Sequence, residues 1–134
     1  MGAAPKQRDI FTRRYRTIPG RTFSELQFQI QFVAELRLTL RKDVTVWATI
    51  NEEPNARACA KHRAMGVLPG VSDLTFRWGP PLQQLHLELK AGGRKPTEQQ
   101  LLFGARAKLD GAYYEWCDSL DAAVGIVKKY GLLK

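Results

Sequence analysis

The stretch Gly66 to Lys90, GVLPGVSDLTFRWGPPLQQLHLELK, decides the fold. Within it Asp73, Thr75 and Arg77 alternate with Leu74, Phe76 and Trp78, and His86, Glu88 and Lys90 alternate with Leu85, Leu87 and Leu89. Successive side chains of a strand point to opposite faces of a sheet, so a period of two marks half-buried β-strands. Gly79-Pro80-Pro81-Leu82 lies between the two runs and has the composition of a turn. The stretch reads as an antiparallel hairpin. With Trp78 opposite Gln83, antiparallel counting sets Asp73 opposite Glu88. A slip of one residue would bring the leucines of one strand against the polar residues of the other, which disfavours such registers.

In this register one face carries Asp73, Glu88 and Lys90, and the Cβ atoms of the two acids stand roughly 4.5–5.5 Å apart. Like charges at that spacing repel. Two arrangements fit the spacing alone. The acids can be solvated on an open face and screened by Lys90, as is common on antiparallel sheets. Alternatively, a hard, oxygen-seeking cation such as Mg²⁺ can sit between them. His86 shares the face and can lie at its rim.

A carboxylate at the start of one strand, followed by Glu-x-Lys on its neighbour, resembles the site pattern of the PD-(D/E)XK nuclease superfamily, here Asp73 and Glu88-Leu89-Lys90. The ordered set GVLPGVSDL (66–74), LELK (87–90) and TEQQ (97–100) is similar to the virus-type replication-repair nuclease family, VRR-NUC. That resemblance implies an α/β nuclease core with a mixed central sheet flanked by helices, in the order αβββαβ with extra helices. It implies metal-dependent hydrolysis of phosphodiester bonds. Asp73 and Glu88, with the backbone carbonyl of Leu89, would hold Mg²⁺ or Mn²⁺, and Lys90 would orient or help deprotonate the attacking water. An acidic residue at the start of the first helix faces the metal site in that family, and Glu25 matches it. The Gln of the family's S/T-x-x-Q pattern matches Gln100. Stand-alone members behave as homodimers that resolve four-way DNA junctions, so branched DNA is the expected substrate. The alternatives are a flap or replication-fork endonuclease and a basic, non-catalytic nucleic-acid-binding accessory protein. A restriction enzyme is less favoured, because no element dedicated to base readout is evident.

The chain has 134 residues, enough for one domain with one core. Twenty-one Lys and Arg against thirteen Asp and Glu give a net charge of +8, which suits a polyanionic partner. No apolar run approaches the roughly 18 residues of a membrane span, and the N-terminus lacks the apolar core of a secretory signal. A soluble cytoplasmic protein is expected. Cys59 and Cys117 form no C-x-x-C pair and suggest neither a zinc site nor a disulfide framework.

Taken in order, residues 1–20 carry Lys6, Arg8, Arg13, Arg14 and Arg16 without sustained periodicity and read as a basic arm, with the nuclease domain over 21–134. Such an arm can simply be solvated, can reach DNA phosphates, or can embrace a second subunit. Thr22 or Ser24 can cap a helix to about Leu40 whose Phe28, Phe32, Leu36 and Leu40 make a buried stripe. Glu25 in its first turn also suits the positive end of the helix dipole, quite apart from any metal. Val44–Ile50 is a first strand, and Ala56–Met65 a short helix with a basic side of Arg57, Lys61, His62 and Arg63. The resemblance pairs Asn51 and Arg57 with a DNA-contacting loop, although NEEPNAR is more acidic than the family's usual version. Pro69-Gly70 bends the chain towards Asp73. Ala91 to Pro96 is a basic loop whose Arg94 and Lys95 can line a groove. Thr97 with Gln100 forms a capping box, the structural role available to Gln100. That helix continues through Leu101, Leu102, Ala105 and Leu109 to Gly111. A last strand over Ala112–Cys117 and a final helix with Leu120, Ala123, Val124 and Val127 inward complete the chain.

Overall fold

The computed structural model describes residues 23–50 and 55–134. Its elements are α1 (Phe23–Thr39), β1 (Thr45–Ala48), α2 (Ala56–Ala64), β2 (Leu74–Trp78), β3 (Gln83–Leu89), α3 (Glu98–Leu109), β4 (Tyr113–Cys117) and α4 (Leu120–Lys129). The basic arm, Thr22 and Asn51 lie outside the described residues. The first strand is shorter than the hydropathy pattern suggests, four residues in all.

The four strands form one mixed sheet in the order β1-β2-β3-β4. β1, β2 and β3 are antiparallel neighbours, whereas β4 runs parallel to β3. A parallel neighbour requires a crossover, and α3 provides it. The hairpin has the expected register: Trp78 pairs with Gln83 and Leu74 with Leu87, so the next pair along is Asp73 and Glu88. The architecture is therefore α/β, a four-stranded mixed sheet flanked by helices.

One face of the sheet is the apolar core. Leu74, Phe76, Leu85, Leu87 and Leu89 pack there against Phe32 and Leu36 of α1 and Ala123 and Val127 of α4. Phe76 is wholly buried, and burial of a side chain of that size contributes about 1.5–3 kcal/mol. Phe28 stacks on Phe32 at 6.5 Å between ring centroids, so the stripe expected along α1 is the one that packs.

The opposite face departs from half-burial. Thr75, His86, Glu88 and Lys90 are all buried although polar, because α3 and the segment 66–72 cover that side. Gly104 lets α3 lie directly on β4: a Cβ there would stand 2.5 Å from the Tyr114 ring. Phe103 meets His86 edge-on at 5.0 Å. The buried residues of α3 are the small Gly104 and Ala107, while Leu101, Leu102 and Leu109 are exposed. Its start is built as expected, with Thr97 and Gln100 closing a reciprocal capping box.

α2 has no buried residue. Asn55 caps it, its Oδ1 accepting from the Ala58 N–H at 2.9 Å. A helix with no apolar face presents its side chains to solvent or to a partner. No described helix is long and apolar enough to cross a membrane.

Candidate active site

Asp73 stands where β2 begins. Its carbonyl accepts from the Thr49 N–H at 2.9 Å, and its Oδ2 accepts from the Leu89 N–H at 2.8 Å. The second contact ties the side chain to the backbone of β3 and fixes the carboxylate beside Glu88.

Glu88 is 3% exposed. Its Oε1 accepts from Gln100 Nε2 at 2.7 Å and lies 3.4 Å from Lys90 Nζ. Its Oε2 is buried with no donor among the described residues, and when protonated the carboxyl hydrogen-bonds to Asp73. Burial pushes the Glu88 carboxyl well above the usual carboxylate range, to about 8; the Asp73 charge adds to the rise and Lys90 opposes it. Two acids with one ammonium leave a site that is short of positive charge. A proton on Glu88 supplies it, and so does a bound cation.

Gln100 makes two contacts, one to the helix cap and one to Glu88. Its Oε1 accepts from the Thr97 N–H at 2.8 Å, while its Nε2 reaches Glu88. The capping box therefore sets the angle at which the amide is presented to the acid. Glu25 is buried, 6% exposed, and its Oε1 lies 3.5 Å from Arg94 Nη1. This ion pair joins the start of α1 to the loop that follows Lys90, and Arg94 is engaged within the fold as well as half-exposed. Among the described residues no group of three or more His, Cys, Asp and Glu side chains is placed to hold a metal ion. Asp73 and Glu88 remain a chemically apt pair for a hard cation, since a buried carboxylate oxygen with no donor seeks one.

Arg57, Lys61 and Arg63 are exposed along α2, and Lys95 is exposed in the loop after β3. Cys59 is half-buried and Cys117 buried. Burial, with the nearby Asp118 charge, pushes the Cys117 thiol up to about 12, where it is unreactive.

Two features of this face have no signal in the sequence pattern. Ser72 Oγ and Thr75 Oγ1 each lie 3.3 Å from His86 Nδ1, and the Gln84 amide lies 3.0 Å from His86 Nε2. Burial lowers the His86 pKa, so the ring is neutral at physiological pH. His86 is therefore a buried, hydrogen-bonded part of the face, enclosed where its alternation suggested a rim. Tyr114, paired with His86 across β3 and β4, has a buried hydroxyl without a partner among the described residues. Burial, then the Glu88 and Asp73 charges, raise its pKa.

The Glu88 shift has a sign that can be measured. A carboxyl whose folded pKa exceeds its ordinary 4.5 contributes stability that is fully present below that value and lost as pH rises through about 8. Without metal, unfolding free energy is expected to fall between pH 5 and 8, by at most about 1.4 kcal/mol per pH unit from this group. Mn²⁺ added at pH 7 is expected to displace roughly one proton as Glu88 ionises. Urea melts across pH, and titration calorimetry in buffers of different ionisation enthalpy, check the two parts.

Comparison with family models, with curated proteins and with solved structures finds no match to this chain.

Proposed function

We propose that the protein is a metal-dependent, structure-specific endonuclease that hydrolyses phosphodiester bonds in branched DNA, acting as a homodimer on four-way junctions. The observation that carries this reading is the buried Glu88 carboxylate. One oxygen is held by Gln100 and Lys90, and the other is left without a donor beside Asp73. A carboxylate kept only for stability has no reason to be buried against a second one.

On this reading the sheet and its helices are a PD-(D/E)XK nuclease core. Asp73 and Glu88, with the Leu89 carbonyl, would hold Mg²⁺ or Mn²⁺, and Glu25 would complete the site or recruit a second ion. A divalent ion there supplies a water of lowered pKa and neutralises charge on the phosphoryl oxygens. Lys90 gives a compact cation with rotatable donors beside that position, suited to orienting the water and stabilising the charge that develops. Gln100 fixes the Glu88 rotamer. The exposed bases of α2 and Lys95, with the net charge of +8, suit contact with phosphates. Asn51 is assigned to DNA contact by resemblance, and Arg94 and the basic arm by their charge.

Two sites related by a twofold axis cut two opposed strands symmetrically, which one site cannot do. A labelled mobile junction is therefore expected to show paired, symmetric nicks that require Mg²⁺ or Mn²⁺. Sedimentation is expected to give about twice the 15.2 kDa chain mass. Monomer mass with cleavage of flaps alone would favour a flap or fork nuclease. No metal-dependent nicking of any branched DNA would leave the non-catalytic binding protein.

A further inference from the structure

A hollow among the described residues lies away from the acid pair. It is a cavity of about 650 Å³ farther along the same face of β3, where α3 and the segment before Asp73 stand apart. Gln84 and His86 form its floor, Leu68, Leu82, Leu102 and Phe103 its walls, and Arg106 stands at its edge. The walls are apolar, but the floor carries an amide and an imidazole bonded to each other. Phe103 presents its ring edge-on to that imidazole.

We infer that this cavity receives a single nucleobase of the DNA, one that has come unpaired at the branch point; the inference rests on the nuclease reading of the neighbouring acids. Three observations favour a flat heteroaromatic ring over an aliphatic side chain from another protein. The aromatic and leucine walls accept a ring face, as stacking platforms for bases do. The Gln84 amide, which spends only one of its groups on His86 Nε2, offers a donor or an acceptor to a polar ring edge, which an aliphatic group would leave unmatched. His86 and Glu88 are two residues apart on one face of one strand, roughly 6.6 Å, so a base in the cavity would bring its own backbone close to the acids. Arg106 at the edge gives a cation for a flanking phosphate, and its partner Asp110, 3.3 Å away, is exposed with it on the outer turn of α3.

The test uses the full chain without divalent metal, so that binding is read apart from cleavage. The probe is a four-way junction with 2-aminopurine at the branch point, compared with a fully paired duplex and with free 2-aminopurine deoxynucleoside monophosphate. Leu102→Trp and Leu68→Trp place bulk at exposed positions of the wall, where folding is not at stake. Wild-type protein is expected to change the 2-aminopurine fluorescence on binding. Each tryptophan variant is expected to lose that change and about tenfold in junction affinity, the order of one base stack, with duplex affinity unaltered. Variants that retain both the fluorescence change and the affinity would overturn the inference. So would sedimentation that shifts in the variants without DNA, which would make the cavity a protein-docking groove, and so would the free nucleotide binding as tightly as the junction. Base capture by a wild-type protein that never nicks DNA would sink the nuclease reading alone. Nicking with no base capture would sink this inference alone.

Discussion

Glu88→Gln is expected to lower metal-dependent cleavage of branched DNA by about a thousandfold or more and, in the same protein, to raise thermal stability at pH 8 and above. The amide keeps an oxygen for Gln100 Nε2, which lies 2.7 Å from the present carboxylate. It also puts a donor where Oε2 has no partner and removes a charge that burial and Asp73 disfavour. The wild type loses stability as Glu88 ionises with rising pH, and the variant has nothing there to titrate. The gap between the two should be small near pH 5 and largest above about 8. Nicking assays, metal-free DNA binding and melting at pH 5 and 9 read all three consequences, and DNA binding should persist because the bases proposed to meet phosphates lie on α2 and in the loop after β3. A variant that still cuts removes the proposed site. A variant less stable than wild type at pH 9 would make Glu88 a structural acid held by Lys90 and Gln100.

The second large effect is expected at Gly70. This residue has φ +83, and a Cβ added to it would stand 2.6 Å from the Gln99 carbonyl oxygen and 3.1 Å from the Gln100 nitrogen. Both neighbours are main-chain atoms of the first turn of α3 and cannot rotate away. Gly70→Ala should cost about 1–2 kcal/mol for the left-handed backbone, with a further cost of about 1–3 kcal/mol for overpacking. The strain also separates the segment carrying Ser72 and Asp73 from the turn carrying Gln100, so activity should fall with stability. Gly66→Ala is the control: its φ is +96, but nothing lies within 4 Å of the added atom, so only the backbone cost applies. Urea melts should show the larger midpoint loss in Gly70→Ala with an unchanged slope. Equal losses in the two variants would mean that the close approach to α3 is absent.

Much of the hairpin is legible from residue order. Period-two alternation, the Gly-Pro-Pro turn and the mismatch produced by any one-residue slip act over a few positions, so the pairing that brings Asp73 towards Glu88 follows from local constraints. The capping box at Thr97 is equally local and is present, and Ser119 caps the last helix. Burial of the polar face is another matter. Thr75, His86, Glu88 and Lys90 read as one side of a half-exposed strand, yet all are buried. What encloses them is α3, seated through Gly104, and the segment before Asp73, seated through Gly70. The leucines of α3 also misdirect a reading by hydropathy, since the buried residues of the helix are Gly104 and Ala107, while Leu101, Leu102 and Leu109 are exposed.

The amino-acid order by itself determined the register of the hairpin, the start of the helix at Glu98 and which acids share a face, because each depends on neighbours in the chain or on a single turn. Only the tertiary structure decided that Glu88 is buried with one oxygen unmatched, that Gln100 reaches it, that Glu25 meets Arg94 and that a cavity opens beside His86. Those depend on how closely α3 and the segment before Asp73 approach the sheet, a distance set by the absence of side chains at two glycines far apart in the chain.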